Sequence, residues 1–192
     1  MTITKRSLRD SLQVKQKILA DNVLLNTLED VAELCVKALQ NDRKILFCGN
    51  GGSAADAQHL AAELSGRFYF DRLPLFAEAL HVNTSYLTAV GNDYGYDKVF
   101  SRLVQAKGRE GDILIALSTS GNSENIIQAF EVAKEKKMIS VAFTGETGGK
   151  MKDGADYLIN VPSKDTPRIQ EAHITLGHAL CEIIENEMFA NK

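Results

Sequence analysis

The sequence repeats one arrangement, in which a short apolar segment is followed by a loop of small residues and then by an amphipathic helix. The first copy spans residues 44 to 66 and the second spans residues 112 to 137. Further apolar segments at 75 to 82, 139 to 145 and 155 to 162 fit strands. Strands that alternate with helices indicate a parallel sheet. We therefore predict an α/β fold in which a five-stranded parallel sheet is flanked by helices.

The loop of the first copy is rich in glycine. Gly49, Gly51 and Gly52 permit the positive φ angles of a tight turn. Ser53 fits the N-cap of the following helix, with Asp56 three residues later to complete a capping box. The first N–H groups of a helix are unpaired and its dipole is positive at that end. This loop therefore favours an anionic ligand.

The loop of the second copy, residues 118 to 123, has the sequence STSGNS. Its hydroxyls and backbone N–H groups open a helix after a buried strand, which is typical of a phosphate cradle. It lacks the lysine of a P-loop and the spacing of a dinucleotide fingerprint, so a small phosphate monoester fits better than a nucleoside triphosphate or NAD. The alternative is a serine-rich helix cap that binds nothing.

Two side chains with catalytic potential lie on the first predicted helix. His59 and Glu63 are four residues apart, which places them on one helix face, near enough to share a metal ion or a substrate. A solvated helix pair has the same spacing. The small-residue loop upstream is what favours the functional interpretation.

Length and composition limit the remaining possibilities. The 192 residues suit one domain, and we divide it into a helical N-terminal extension at 1 to 43 and a ligand-binding part at 44 to 192. Helices are predicted at 4 to 19 and 24 to 41, and the apolar content of the second suggests oligomerisation. The net charge of −3 without a basic block argues against nucleic acid. No apolar segment is long enough to span a membrane.

The cysteines bear on location. Cys35, Cys48 and Cys181 lie in apolar contexts without a CxxC pairing, and the polar N-terminus lacks a signal region. We expect reduced core cysteines in a cytoplasmic protein.

Four separated motifs give the chain a family resemblance. It resembles the phosphoheptose isomerases, small sugar-isomerase (SIS) domain proteins, in the segments CGNGGSAADAQHLAAELSGR (48 to 67), VGNDYGYDKVFSR (90 to 102), REGDILIALSTSGNS (109 to 123) and RIQEAHITLGH (168 to 178). The resemblance implies a single SIS domain with a flavodoxin-like three-layer fold. It also implies conversion of sedoheptulose 7-phosphate to D-glycero-D-manno-heptose 7-phosphate, for lipopolysaccharide or related glycans. Family members are cytoplasmic homotetramers with active sites between subunits, and many bind zinc, which implies one Zn²⁺ per subunit here.

The resemblance also assigns roles to residues. It implies that Glu63 and His178 are the catalytic acid/base pair. The implied metal ligands are His59, Glu63, Gln170 and His178. The implied substrate contacts are Asn50, Gly51, Gly52, Ser53, Glu63, Asn92, Asp93, Ser118, Thr119, Ser120, Ser123 and Gln170.

These residue types suit an aldose–ketose isomerisation. The reaction moves a proton between neighbouring carbons through a cis-enediol, so it needs a carboxylate such as Glu63 that takes and returns that proton. A histidine, which exchanges protons near neutral pH, suits the proton transfer between the two oxygens. Zinc would polarise the carbonyl, and the phosphate would supply binding energy away from the reacting carbons.

The implied ligand set poses a geometric question. Gln170 and His178 are separated by roughly 12 Å along a straight helix and by about 80° around it. To hold one ion, both side chains must stretch, or one ligand comes from another subunit, or the helix bends near Gly177. We expect the other two histidines, His81 and His173, to be structural or, for His173, to lie at an interface.

The sequence leaves the roles of three further positions open. Arg67 could neutralise substrate charge or form a surface salt bridge. Asp93 could bind a sugar hydroxyl, or an Asn92–Asp93 turn could explain both residues. Pro167 departs from commoner family versions, which leaves sugar contacts before the last helix open.

Other functions are compatible with the same fold. Relatives of these isomerases act as scaffolds that bind the replication initiator DnaA, but the Gly51–Gly52 pair and the LSGR and VGNDYGY segments favour the isomerase. SIS-domain sugar-phosphate sensors usually add a DNA-binding domain. Arabinose 5-phosphate isomerases normally add a long C-terminal region.

Overall fold

The computed structural model describes residues 1 to 190, so the last two residues of the predicted 44 to 192 unit lie outside it. Seven helices and five strands follow one another within this part of the chain. In order they are α1 (Ile3–Leu19), α2 (Asn22–Gln40), β1 (Ile45–Gly49), α3 (Gly52–Ser65), β2 (Ala77–Ala79), α4 (Thr84–Tyr94), α5 (Val99–Lys107), β3 (Ile113–Ser118), α6 (Glu124–Glu135), β4 (Ile139–Thr144), β5 (Tyr157–Asn160) and α7 (Thr166–Phe189).

The five strands form one parallel sheet in the order β2-β1-β3-β4-β5. The predicted α/β class and five-stranded parallel sheet are thus confirmed. The strand order reverses direction between β1 and β3, which are directly paired from Ile45↔Ile113 to Gly49↔Leu117. Crevices beyond the carboxyl ends of strands at such a switch point are where α/β sheets bind ligands. The glycine loop follows β1 and the serine loop follows β3, so the fold places both at this point.

The sheet separates two hydrophobic cores. Ile45 and Phe47 of β1 face a core shared with α1, α2, α3 and α7. Leu46 and Cys48 face the opposite core, which is shared with α4, α5 and α6. Successive side chains of a strand point to opposite faces, and a strand covered on both faces reads as a continuous apolar run. Burial on both faces explains why four successive residues of β1, ILFC at 45 to 48, are apolar.

The N-terminal helices contribute to the first core. Val14 and Ile18 of α1 and Leu28 of α2 are buried in it. The outer side of α1 exposes Leu8 and Leu12, which are 62% and 61% accessible. None of the helices between residues 1 and 190 combines the length and apolar character that a membrane span needs.

The start of α3 differs from the prediction. The helix begins at Gly52, its N-cap position is Gly51 and no side chain caps it, so the predicted Ser53–Asp56 capping box is wrong. Only Gly51 of the three loop glycines has a positive φ, at 57°. Gly49 is needed for space, since a Cβ there would lie 2.5 Å from the carbonyl oxygen of Ser53. The strand therefore turns into the helix within two residues, Asn50 and Gly51.

Three other element boundaries differ from what a simple reading of the sequence would indicate. Helix α4 continues through Gly91 and ends at Tyr94, before Gly95 at φ 89°. The segment predicted as a strand at 75 to 82 pairs over only three residues, Ala77–Ala79, at one edge of the sheet. Helix α7 has Asp165 at its N-cap position and Pro167 in its first turn.

Helices α3 and α7 lie side by side and run in the same direction. Gly52 contacts Gln170 near their starts, and Gly177 contacts Leu60 further along. A Cβ at position 177 would lie 2.6 Å from Leu60 Cδ1, and Leu60 is only 1% exposed. The two helices can therefore approach this closely only with glycine at position 177.

This contact predicts opposite effects for two glycine-to-alanine substitutions. Gly177→Ala gains helix propensity of up to about 1 kcal/mol but overpacks the core at a cost of about 1–3 kcal/mol, so we expect a net loss of stability. In α4, a Cβ added at Gly91 would have no atom within 4 Å, so Gly91→Ala gains propensity without that cost and should stabilise. Urea unfolding of both variants measures the difference. A stabilising Gly177→Ala would contradict the close packing.

Candidate active site

A cluster of three polar side chains lies where α3 and α7 meet. His59 Nε2 is 3.0 Å from His178 Nε2 and 3.1 Å from Glu63 Oε1. One potential ligand atom from each residue lies within 4.8 Å of the others. The His59 and Glu63 side chains are 49% and 23% exposed, so solvent and substrate can reach them. The sequence-based placement of His59 and Glu63 on one helix face is confirmed, with His178 facing them from α7.

The chemistry of this donor set fits a divalent metal. Two imidazole Nε2 atoms facing each other at 3.0 Å need a proton or a cation between them. Two histidines and a carboxylate are ligands that zinc accepts. A buried carboxylate oxygen of Asp56 without a hydrogen-bond partner lies nearby. Burial raises the pKa of Asp56, and the charges of His59 and His178 oppose that rise. The cluster thus has ligand types that a divalent cation accepts.

The fourth implied ligand lies elsewhere in this chain. Gln170 is seated against Gly52 at the start of α3, where a Cβ at position 52 would be 2.5 Å from its Nε2. His178 is eight residues further along α7, or roughly 12 Å of helix. Within one chain, the structure therefore brings together His59, Glu63 and His178 and leaves Gln170 at the glycine loop.

The serine loop gathers hydroxyl groups at the start of α6. Ser118 Oγ lies 2.9 Å from Ser123 Oγ and 3.5 Å from Ser120 Oγ. Ser118 is buried, and Ser123 is the N-cap residue of α6 without using its side chain as a cap. The serine-rich cap considered as an alternative is therefore not formed by Ser123, whose hydroxyl is bonded to that of Ser118 instead. The Thr119 carbonyl accepts from the N–H of Gly145 in the loop after β4.

Asn50 joins the two loops. Its side-chain amide exchanges two hydrogen bonds with that of Asn125, each 3.0 Å long. Tyr96 Oη also donates to Asn50 Oδ1, over 3.1 Å. Asn125 is buried in the first turn of α6. The network fixes the loop after β1 against the helix that follows the serine loop.

The other predicted contacts are less constrained. Asn92 and Asp93 lie in the last turn of α4, so the alternative of an Asn92–Asp93 turn is wrong, and Asn92 Nδ2 donates to Asp93 Oδ1 over 2.9 Å. Ser53 is buried in α3. Arg67 is exposed, and no carboxylate between residues 1 and 190 forms an ion pair with it, so the salt-bridge alternative gains no support.

The two remaining histidines lie outside the cluster. His173 is fully buried, and its Nε2 lies 3.1 Å from the carbonyl oxygen of Thr144. Burial lowers the pKa of His173 to about 4, against a smaller opposing effect of that hydrogen bond. His81 is half-buried after β2, and burial lowers its pKa. His173 is structural in this chain, which was one of its two alternatives, whereas the structural role of His81 stays a prediction.

Several residues of the site were missed by the sequence analysis. Asn125 follows the serine loop directly, so its position in the first turn of the helix was a usable signal. Arg72 and Glu185, which form a buried ion pair beneath the cluster, gave no signal, because they are 113 residues apart.

Comparisons with known proteins agree with this geometry. The SIS domain family model matches residues 10–145. The phosphoheptose isomerase of Aneurinibacillus thermoaerophilus is 56% identical over 188 residues, which cover 98% of this chain and 95% of the relative. The structure of the Neisseria gonorrhoeae phosphoheptose isomerase superposes with a TM-score of 0.90 at 48% identity, over 96% of this chain and 100% of that one. For the Francisella tularensis phosphoheptose isomerase the TM-score is 0.91 at 38% identity, over 97% and 100%. The chain therefore belongs to the SIS domain family, among the phosphoheptose isomerases.

Proposed function

We propose that this chain is an aldose–ketose isomerase that converts sedoheptulose 7-phosphate to D-glycero-D-manno-heptose 7-phosphate. The observation that carries the proposal is the cluster of Glu63 with two histidines at the α3–α7 contact. Full-length relatives at 50–56% identity bear the name phosphoheptose isomerase, which identifies the substrate class. The initiator-binding scaffold finds no support among these relatives.

Two proton transfers convert the ketose into the aldose. Glu63 removes a proton from C1 of the ketose, and the electron pair of that C–H bond forms the double bond of a cis-enediol. The carbonyl oxygen at C2 gains a proton while the hydroxyl at C1 loses one, a transfer that suits His178. Glu63 then returns its proton to C2, which completes the aldose. A carboxylate that is partly exposed and fixed on a helix can perform both carbon steps.

We infer that His59, Glu63 and His178 hold a zinc ion, with Gln170 as a fourth ligand. When bound, zinc would act as a Lewis acid on the substrate oxygens. The three grouped ligand atoms support this assignment. The position of Gln170 beside Gly52 means that its participation needs either a second copy of the chain or a movement of α7.

The serine loop is proposed to bind the phosphate. Ser118, Ser120 and Ser123 bring three hydroxyls together at a helix N-terminus, which favours an anion. Asn50, Gly51 and Gly52 would contact the sugar. Contacts from Ser53, Thr119, Asn92 and Asp93 are proposed on the family pattern.

We further propose that each active site uses two subunits of a homotetramer. Helix α3 begins at the ligand edge of the sheet and runs away from it, so His59 and Glu63 lie about 10 and 16 Å along the helix from Gly52. One small sugar phosphate must reach both the serine loop and Glu63. A serine loop from one subunit facing Glu63 of another would satisfy this requirement, and α1 with its exposed Leu8 and Leu12 offers apolar surface for assembly.

A cytoplasmic location is part of the proposal. Cys35, Cys48 and Cys181 are all free and buried. Burial raises the pKa of the Cys181 thiol to about 12, with smaller contributions from neighbouring charges. Three unpaired thiols suit a reducing compartment.

The first experiment follows turnover of sedoheptulose 7-phosphate by NMR, before and after chelation and with zinc restored. We expect activity that disappears with the metal and returns with zinc. His59→Ala should lower the bound zinc, measured by elemental analysis, whereas the control His81→Ala should leave it unchanged. Turnover that persists after the metal has left would contradict the zinc assignment. No turnover under any condition would contradict the isomerase, and a pull-down with DnaA would then test the scaffold.

Subunit mixing tests the shared site. Glu63→Gln and the double variant S118A/S123A should each be inactive alone. Oligomers assembled from equal amounts of both should regain about a quarter of the wild-type activity, because some sites then combine an intact loop with an intact Glu63 from different subunits. If both elements come from one subunit, every site keeps a lesion and no activity returns.

A further inference from the structure

A buried ion pair lies below the cluster and connects its two helices. Arg72 Nε is 2.8 Å from Glu185 Oε1, and the two side chains are 2% and 1% exposed. Arg72 lies in the connection after α3, and Glu185 lies on α7. Burying two charges is costly unless further hydrogen bonds satisfy them. The contacts of each side chain therefore indicate what the pair does.

Glu185 holds the backbone of the connection after α3. Its Oε1 accepts from the N–H of Phe68 at 2.9 Å, and its Oε2 accepts from those of Tyr69 and Phe70 at 2.6 and 3.1 Å. Burial alone would raise the pKa of Glu185, but these three donors and the Arg72 guanidinium outweigh it, so the pKa is lowered. The carboxylate thus remains charged and fixes three successive residues.

Arg72 holds the last turn of α3. Its Nη2 donates to the carbonyl oxygen of Glu63 at 2.9 Å, and its Nη1 donates to those of Leu64 and Gly66 at 2.8 and 3.1 Å. The last carbonyls of a helix have no partner within it, and a positive charge is favourable at a helix C-terminus. The guanidinium therefore fixes the backbone of the residue that carries the proposed carbon base.

The same unit reaches the histidine on α7. Glu185 is two helical turns beyond His178 on α7. Phe68, whose N–H is bound by Glu185, places its ring 5.7 Å from the ring of His178. The ion pair is thus connected to both proposed catalytic residues. It reaches Glu63 through the backbone carbonyl of Glu63, and it reaches His178 through helix α7 and the ring of Phe68.

We propose that Arg72 and Glu185 are positioning residues, which set the separation of Glu63 and His178 and thereby control metal affinity and turnover. Neither residue touches the substrate. The proposal rests on the proposed function, because it concerns the same cluster. It adds two residues whose role is to fix the distance between the two helices at the site.

The test compares Arg72→Lys and Glu185→Asp with the wild type. Lysine keeps the charge but carries its three donors on one nitrogen, so it cannot span Glu185 and the α3 carbonyls as the planar guanidinium does. Aspartate keeps the charge one methylene short. We expect the zinc Kd of the metal-free protein to rise about 10- to 100-fold, as for residues that orient metal ligands. The kcat should fall by a similar factor, while the KM for the sugar phosphate stays within about twofold because the serine loop is untouched.

A second buried pair provides the control. Asp112 is 1% exposed and accepts from Lys44 Nζ at 2.6 Å and from the N–H groups of Lys44 and Arg109. It precedes β3, at the opposite end of the strand from the serine loop. Asp112→Asn should lower stability without changing the zinc Kd or kcat of the folded protein.

The outcomes separate this proposal from a purely structural role. If the Arg72 and Glu185 variants change zinc Kd and kcat no more than Asp112→Asn does, or if neither variant folds, the pair is structural and the proposal is overturned. A wild type that binds zinc but does not isomerise the substrate would overturn the proposed function instead. In that case the zinc Kd of the variants would still show whether Arg72 and Glu185 control metal affinity.

Discussion

The contact between α3 and α7 is the constraint on which the site depends. Gly177 lets Leu60 approach the backbone of α7, and this closeness brings His59 within 3.0 Å of His178. Neither helix carries the cluster alone, since α3 supplies the carboxylate and one imidazole while α7 supplies the other. A methyl group added at position 177 would therefore disturb both the packing of the two helices and the geometry of the cluster.

The sheet supplies the second constraint. Because the strand order reverses between β1 and β3, the glycine and serine loops emerge side by side, and the amide pair of Asn50 and Asn125 fixes one against the other. Phosphate binding is thus built on the strand ends, whereas proton transfer is built on the flanks of two helices. The distance between these two regions in one chain is the physical reason for proposing a site shared between subunits.

Local features could be predicted from the sequence, and long-range ones could not. The apolar segments and small-residue loops predicted the strands and the parallel sheet, and the spacing of His59 and Glu63 predicted their common face. Helix ends were less predictable, because α4 tolerates Gly91 in its interior and α3 begins without the expected cap. The approach of His178 to His59, across 119 residues, was implied only by the family resemblance, and nothing in the sequence indicated that Glu185 would bind three N–H groups around Phe68.

Solvent exchange tests the central claim, that Glu63 transfers the carbon-bound proton. The measurement is deuterium incorporation at C2 of the aldose formed from sedoheptulose 7-phosphate in D₂O, followed by NMR. The wild type and the control Glu33→Gln, an exposed glutamate of α2, should introduce deuterium as they turn over, to the extent that the proton on the partly exposed Glu63 exchanges with solvent before it is returned to C2. In Glu63→Gln both turnover and incorporation should fall about 10²- to 10⁴-fold, as for loss of a general base. Unchanged turnover and incorporation by Glu63→Gln would contradict the account.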